Sequence, residues 1–405
     1  MKNMSPICLQ RRHSREKRFR WYGRLACGFA VVFLLAFLGG LLSWAFEGMV
    51  KYEVKTDIYL DPHVLLAPHK NNVSLALFDM DTLCALSYIK KQTPIPGIPG
   101  LLAPSAHRVV FDYIKAHPEH MGSVVSFWLP IDADQARILK NISLSPQTHN
   151  MLKRLENIDH IRKCWRFDFF TNTDSRDPVA AGIWSGLVGT FFLFIVTLGV
   201  SFPIGVAAAF YLEELAKPST LSRLIEVNIS NLAAVPSVVF GILGLAIFIN
   251  VAHLPRSSTL VGGITLALMT LPTLIIVTRT AIRTVPKSIR ESARGLGASQ
   301  IQIIFHHLFP IALPGILTGT MLAISRALGE TAPLLMIGMM AFVADAPGSI
   351  MDPSSALPVQ IFSWVRNPEV TFLANASAAI LVLLLFLGAL NLLAITLRGK
   401  YEHKW

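Results

Sequence analysis

Long apolar runs separated by short charged loops dominate the hydrophobic pattern of this 405-residue chain. A bilayer-spanning helix needs roughly 20 predominantly apolar residues. Six runs are of about that length or longer, and they cover residues 25–46, 183–211, 227–251, 260–277, 311–342 and 376–397. The pattern predicts an all-α polytopic membrane protein with about six transmembrane helices. The first run is too long for the core of a cleaved signal peptide, so we expect an uncleaved signal anchor.

Residues 47–180 interrupt the apolar pattern. They mix short alternating runs, typical of strands, with helical periodicity, and TPIPGIPG marks a turn-rich break. We expect a small α+β domain inserted between the first and second spans. Two acidic pairs, Asp79 with Asp81 and Asp132 with Asp134, are interpreted as surface turns, because the segment has no metal-ligand spacing and no nucleophile–base pattern.

The net charge of +11 is unevenly distributed. Residues 2–24 carry eight Lys/Arg against one Glu, whereas residues 47–180 carry 15 of each sign. Basic residues flanking apolar segments are typical of cytoplasmic loops, and no basic stripe interleaved with aromatics favours nucleic acid. We therefore expect the inserted domain to be extracytoplasmic. The predicted cytoplasmic parts are the N-terminus (1–24), the loops 211–226 and 279–310, and the tail (398–405).

The four cysteines, Cys8, Cys27, Cys84 and Cys164, form no CxxC pair. Neither a zinc site nor a redox motif is therefore indicated. Cys84 and Cys164 share the inserted domain, where a disulfide and two buried thiols are both compatible with the sequence.

The loop 279–310 carries apolar residues at helical spacing on either side of a glycine. Glycine permits positive φ, so we expect two short helices joined by a tight turn at Gly297. An exposed amphipathic hairpin is a docking surface for a soluble partner; the alternative is a hairpin lying flat on the membrane. His306 and His307 fall on different helix faces, which argues against a metal site. The apolar positions are Ile289, Ala293, Leu296, Ile301, Ile304, Phe305 and Leu308.

This loop resembles the EAA loop of bacterial ABC-importer permeases. The matching positions are Glu291, Ala293, Gly297 and Pro310, and the departures are Ser292, His307 and Phe309. The resemblance implies that the loop fits into a cleft on an ATPase subunit and couples it to the spans. Because the chain lacks G-x-x-x-x-G-K-[ST], we expect the ATPase to be another chain and this one to be neither an enzyme nor a cofactor-binding protein.

The fifth run contains SRALGETAPLL, with Arg326 and Glu330 four residues apart. An ionisable residue at that depth costs about 2.5–3.5 kcal/mol on insertion scales, so both are candidates for function. On a continuous helix they would share one face, and the alternative is that they neutralise each other. An Arg fork binds oxyanions, and hydrogen phosphate has an O–H that can donate to a carboxylate, whereas sulfate has none at neutral pH. The pair therefore favours phosphate.

Four segments, SRALGETAPLL, NLAAVPSVVFGILGLAIF, GIWSGLVGTFFLFIVTLGVSFPIGVAAAFYLEELA and LPGILTG, resemble the PstA-type permease family of phosphate ABC importers. The likeness covers about residues 182–397, within a permease core of 181–397, and implies the type I importer permease fold in a bacterial inner membrane. It further implies a heterodimer with a PstC-type permease, a PstB-type ATPase dimer and a PstS-type periplasmic phosphate-binding protein. Arg326 and Glu330 would then lie on the translocation path.

Two further positions are candidates for that path. Arg279, with Arg283, lies at the cytoplasmic end of the fourth run, where it would either meet the leaving anion or anchor the helix in the lipid headgroups. The Ser237 hydroxyl would either contact phosphate or mediate helix packing. Two alternative functions stay open: a permease for another oxyanion such as molybdate or sulfate, and a membrane sensor or signalling scaffold of the phosphate response.

Overall fold

Helices make up most of the computed structural model, which describes residues 6–61, 89, 101–140, 160–339, 342–343 and 345–401. The helices are α1 (Pro6–Gly48), α2 (Ala106–Ala116), α3 (Ala133–Lys140), α4 (Asp168–Thr171), α5 (Trp184–Phe210), α6 (Thr220–Ala233), α7 (Ser237–Gly244), α8 (Thr259–Arg283), α9 (Lys287–Gly295), α10 (Gln300–Ile303), α11 (Phe309–Leu328), α12 (Ala332–Met336), α13 (Leu357–Val365) and α14 (Thr371–Tyr401). Short π-helical turns follow α5, α7 and α10, at Tyr211–Leu215, Leu245–Val251 and Ile304–Leu308. The strands are β1 (Val50–Tyr59), β2 (Val124–Pro130) and β3 (Ile161–Trp165).

Within the described residues, five helical stretches are long and apolar enough to cross a membrane, and a bent pair adds a sixth. This confirms the prediction of about six spans. The third predicted span, 227–251, corresponds to this bent pair, in which α6 and α7 meet at an angle of 101°. Pro236 lies between them, and proline both lacks the N–H of a continuing helix and disfavours helical backbone before it. The five stretches are Glu16–Gly48, Trp184–Leu215, Thr259–Arg283, Gln300–Leu328 and Thr371–Lys400.

Small residues let α5 and α8 pack closely. A Cβ on Gly263 would lie 2.5 Å from the Cβ of Val196, so only glycine fits there without a shift. The Thr197 hydroxyl donates to the carbonyl of Gly263 at 3.2 Å. Such close approach, with hydroxyls bonding across helices, is how membrane helices associate when lipid supplies no hydrophobic driving force.

The inserted domain is built on an antiparallel sheet of order β2-β1-β3. Tyr59 pairs with Val124 at one end of β1, and Val50 pairs with Trp165 at the other. Helix α2 buries Ala106, Val110 and Ile114, which recur every four residues, in the hydrophobic core. The predicted mixture of strand and helix is therefore present in this domain.

Asp132 and Cys164 of this domain lie within the described residues. Asp132 caps α3, since its Oδ1 accepts the backbone N–H of Asp134 at 3.1 Å. No group of metal ligands occurs among the described residues. Cys164 is a free thiol and lies 3.7 Å from Glu53 Oε2. The TPIPGIPG segment and the residues Asp79, Asp81 and Cys84 lie outside the described residues.

The inserted domain is tied directly to the membrane helices. Met49 alone separates α1 from β1, and its carbonyl accepts the backbone N–H of Arg166 at 2.9 Å. Helix α1 packs against α14, where a Cβ on Gly48 would lie 2.7 Å from the Ala374 carbonyl oxygen. The glycine therefore sets the close contact between the first and last spans.

Candidate functional site

The hairpin after α8 has the predicted turn at Gly297. Helix α9 ends at Gly295, and Gly297 has a φ of +82°. Its N–H donates to the Arg294 carbonyl at 2.9 Å, which closes the end of α9. Ser299 then caps α10: its hydroxyl accepts the Gln302 N–H while the Gln302 side chain accepts the Ser299 N–H. Both ends of the turn are thus fixed by hydrogen bonds.

The two helices of the hairpin have an inner and an outer face. Ala293, Ile303, Ile304 and Leu308 are buried against the ends of α5, α8 and α11. On the outer face Leu296 is 90% exposed, and Ile301, Phe305 and the acidic Glu291 are also exposed. Pro310 is exposed in the first turn of α11. The predicted apolar stripe is thus divided: Ile304 and Leu308 anchor the hairpin, and Leu296, Ile301 and Phe305 form its outer apolar face.

A network of ion pairs holds the hairpin to the spans. Arg290 Nε of α9 donates to Glu214 Oε1 at 2.9 Å, and Gln300 of α10 bonds the backbone oxygen of the same glutamate at 3.2 Å. The Glu214 side chain is 5% exposed. Arg290 also donates to the carbonyls of Ile282 and Val285 at the end of α8. The hairpin, α5 and α8 therefore meet at one buried carboxylate.

Arg279 belongs to a neighbouring ion-pair cluster. Its Nε lies 3.1 Å from Glu213 Oε2 and its Nη2 lies 2.7 Å from Glu226 Oε1. Arg283 pairs with the other oxygen of Glu213 at 2.8 Å. Because its donors already bond two carboxylates, Arg279 fastens α6 and the π-helical turn after α5 to α8. This pairing within the protein differs from both predicted roles of Arg279, contact with the leaving anion and an anchor in the lipid headgroups.

Arg326 and Glu330 do not share a face of one continuous helix, and that prediction is wrong. Helix α11 ends at Leu328, and Glu330 lies in the break before α12. Gly329 follows the last helical residue, as glycine commonly does, and Pro333 lacks the N–H that a continuing helix would use. The fifth apolar run, 311–342, is therefore broken in the middle.

This break meets the break between α6 and α7. Ser237, the first residue of α7, donates its hydroxyl to Glu330 Oε2 at 3.2 Å. A Cβ on Gly241 would lie 2.7 Å from the Cα of Pro333, so glycine permits the close approach of the two segments. Ser237 and Glu330, separated by 93 residues, thus form one polar contact between two interrupted helices.

Arg326 lies one turn before this contact, in the last turn of α11, and its side chain is exposed. Among the described residues its guanidinium has neither an ion pair nor a hydrogen bond. Mutual neutralisation with Glu330 is therefore absent from this structure. An uncompensated guanidinium is not stable against lipid tails, so Arg326 has to face either water or another chain.

Comparison with known proteins shows the family to which this chain belongs. Residues 201–402 match the family model described as binding-protein-dependent transport system inner membrane component. The phosphate transport system permease protein PstA of Haemophilus influenzae is 30% identical over 238 residues, which are 58% of this chain and 82% of that protein. This chain is a member of the PstA-type permease family. It is a multi-pass membrane protein and a transport subunit, and permeases of this kind associate with a separate ATPase and a substrate-binding protein.

Three further matches were found. The probable ABC transporter permease protein YqgI of Bacillus subtilis is 31% identical over 54% of this chain and 78% of its own length. The solved inward-facing methionine ABC transporter MetNI overlaps with a TM-score of 0.41 at 15% identity, over 55% of this chain and 95% of that chain. A second family model, a domain of unknown function named DUF3333, matches residues 7–145. This second match covers most of α1 and much of the inserted domain, and it does not overlap residues 201–402.

The carboxylates of the ion-pair network were missed by the sequence analysis. Glu213 and Glu214 end an otherwise apolar run, in AAAFYLEEL, and an acidic pair at a predicted basic, cytoplasmic helix end was the available signal. Nothing local indicates that their partners, Arg279 and Arg290, lie more than 60 residues away. Only the packing of α5 against α8 brings them together.

We expect Glu214→Gln to loosen the hairpin in the permease. Glutamine keeps the shape but loses the charge opposite Arg290, and a hydrogen bond to a charged group contributes about 1.5–3 kcal/mol. Hydrogen exchange of the α9 and α10 amides should therefore accelerate by at least about tenfold. Glu226→Gln removes a more exposed carboxylate from Arg279 and is the matched control, with little change in the hairpin. Equal protection in both variants would contradict the assigned role of Glu214.

Proposed function

We propose that this permease forms the translocation path for inorganic phosphate in an ATP-driven importer. The single observation that carries the proposal is the unpaired guanidinium of Arg326 one turn from the Ser237–Glu330 contact. A cation without a counter-ion among the described residues, four residues before a carboxylate that accepts a hydroxyl, suits an anion that carries both bare oxygens and an O–H. The names of the PstA relatives support the same substrate.

Each group has a separate role in this proposal. Arg326 binds two phosphate oxygens with its planar fork. Glu330 uses one carboxylate oxygen for Ser237 and offers the other to the O–H of hydrogen phosphate. Sulfate, fully ionised at neutral pH, would place a bare oxygen against that carboxylate and be repelled. Discrimination therefore depends on the proton that phosphate carries.

The outer apolar face of the hairpin is the proposed ATPase contact. Leu296, Ile301 and Phe305 are exposed on a rigid turn, with Glu291 beside them. Rigid exposed apolar side chains are the anchors that bind a groove on a partner. The remaining partners in the proposal are a PstC-type permease, a PstB-type ATPase dimer and a PstS-type binding protein. Both termini and the hairpin are assigned to the cytoplasm, and the inserted domain to the other side, in a bacterial inner membrane.

The mechanism follows from rigid connections. ATP binding draws the ATPase subunits together, and the hairpin follows because Glu214 and Arg290 fasten it to α5 and α8. The helices are already interrupted at Pro236 and Gly329. The segments on either side can therefore change direction without losing the hydrogen bonds of a continuous helix. Arg279 acts in this scheme as a fastening between α6 and α8. No covalent chemistry takes place in the permease itself.

Transport by the complete complex tests the proposal. The permease is co-expressed with its partner permease, ATPase and binding protein, and uptake of labelled phosphate is measured in proteoliposomes. ATP-dependent uptake should continue in a hundredfold excess of sulfate and stop with excess unlabelled phosphate. Equal competition by sulfate or molybdate would assign the path to another oxyanion. Absence of uptake of any oxyanion by a complex that hydrolyses ATP would favour the sensor function.

A further inference from the structure

A cavity lies where the inserted domain meets the first and last membrane helices. Its volume is about 50 Å³, and one water needs roughly 10–15 Å³. The polar part of its wall comes from three separate parts of the chain, namely Lys51, Arg166, Thr371 and Asn375, with Glu47 at the end of α1. The cavity therefore has room for more than one water-sized group beside several polar side chains.

Arg166 is the chief polar group of this wall, and it is only 5% exposed. Its Nη1 donates to the Gly48 carbonyl at 3.1 Å and to Asn375 Oδ1 at 2.9 Å, and its Nη2 donates to the Ala181 carbonyl at 2.7 Å. All these acceptors are uncharged. The Nε–H is buried and has no partner among the described residues. The buried guanidinium thus has its Nε–H unused and no carboxylate in contact.

The nearest carboxylates are already occupied. Asp168 accepts from Lys51 Nζ at 2.9 Å, and Asp177 accepts the backbone N–H of Ser105 at 2.7 Å. Burial lowers the pKa of Arg166 to about 10, and these two aspartates oppose that effect from a distance. Arg166 is therefore still a cation at neutral pH. A buried charge without a contacting counter-ion is costly, and an anion in the cavity would remove that cost.

A second unpartnered group lines the same cavity. The Thr371 hydroxyl, at the first residue of α14, is buried and has no hydrogen-bond partner among the described residues. The amide of Asn375, one turn further on, is fully used by Arg166 and the Pro178 carbonyl. An unused Nε–H and an unused hydroxyl among the residues of one cavity wall match the oxygens of an oxyanion. The charge of Lys51, on the same wall, is already paired with Glu53 and Asp168.

The position of the cavity identifies the source of the oxyanion. It is bounded by the last residues of α1 and the first residues of α14, where both spans leave the apolar layer. Trp44 and Glu47 on its rim are exposed, so the cavity reaches the protein surface, and Val370 and Ala374 provide apolar wall next to it. Phospholipid phosphates lie at this level of a bilayer. We propose that the cavity binds the phosphate group of a membrane phospholipid through Arg166 and Thr371.

Native mass spectrometry of the detergent-purified full chain tests this proposal, with phosphatidylglycerol added as the probe after delipidation. The wild type should retain one phosphatidylglycerol molecule. Arg166→Lys, which lacks the Nε–H, and Thr371→Val, which keeps the shape, should each lower its occupancy by about tenfold. Thr56→Val is the matched control, because it removes another buried, unpartnered hydroxyl, from β1 and outside the cavity wall.

Two further arms separate the sources of phosphate. Labelled orthophosphate is titrated onto the delipidated protein and onto both cavity variants. Lipid retention that depends on Arg166 and Thr371 supports the proposal. Orthophosphate binding with the same dependence, but without lipid retention, would overturn the lipid assignment. Binding of neither probe, or lipid retention unaffected by Thr371→Val in a correctly folded variant, would show that the cavity holds only water.

Discussion

Arg326→Ala is expected to lower phosphate uptake by about two orders of magnitude, to near background, in proteoliposomes containing the complete complex. Removing a charged partner that is hydrogen-bonded to a desolvated anion costs about 2–5 kcal/mol. Arg326 has no ion pair within the described residues, so its loss should leave the permease folded. Co-purification of the ATPase should be unchanged, because the hairpin is a separate part of the structure.

Two control variants sharpen this result. Arg326→Lys keeps the charge but loses the fork, and it should transport at an intermediate rate. Arg366→Ala removes another exposed arginine, which lies over the ring of Phe362 at the end of α13, and uptake should stay normal. Normal uptake by Arg326→Ala would remove this guanidinium from the mechanism and with it the main support for the proposed path.

Gly297→Val is expected to weaken ATPase binding about five- to thirtyfold without changing membrane insertion. The φ of +82° is unfavourable for any residue with a Cβ, by roughly 1–2 kcal/mol, and a β-branched side chain is a clear outlier there. This cost comes from the backbone conformation and not from a steric clash, since a Cβ at Gly297 would have no atom within 4 Å. The turn itself should open, and the two halves of the outer apolar face should separate. Co-purification of the tagged ATPase measures the loss.

Gly295→Val is the matched control for this turn. It adds the same side chain two residues earlier, also into open space, but in the helical backbone of α9. We expect it to retain most ATPase binding. A similar loss in both variants would indicate that bulk on the docking surface, and not the backbone of the turn, limits the contact.

Much of the membrane fold could be predicted from the sequence because length and hydrophobicity alone define a span. Length and hydrophobicity do not, however, locate a break inside an apolar run. Residues 227–251 and 311–342 are apolar on both sides of their breaks, so only Pro236, Gly329 and Pro333 indicate a change of direction, and a lone proline or glycine does not distinguish a kink from a bend of 101°. The Ser237–Glu330 contact could therefore not be predicted from the sequence, although both residues were candidates for the translocation path.

In the inserted domain, the element that was not predicted from the sequence is a strand. Strand β1, VKYEVKTDIY, is the centre of the sheet and was not predicted, although Val50, Tyr52, Val54, Thr56 and Ile58 alternate with polar residues as a half-buried strand requires. The turn at Gly297, in contrast, was predicted, since the positive φ of a glycine between two helices depends only on nearby residues. Local chemistry is readable from sequence, whereas long-range pairing depends on the whole fold.

Because only Met49 separates α1 from the central strand β1, the first span and the inserted domain lack a flexible joint. Ten residues of strand extend about 33 Å beyond the membrane helix. A tilt of a few degrees in α1 would therefore displace the far end of the sheet by an ångström or more. A change in the tilt of α1 within the bilayer would therefore shift the far end of the sheet outside it, where a soluble protein on that side is able to sense the shift.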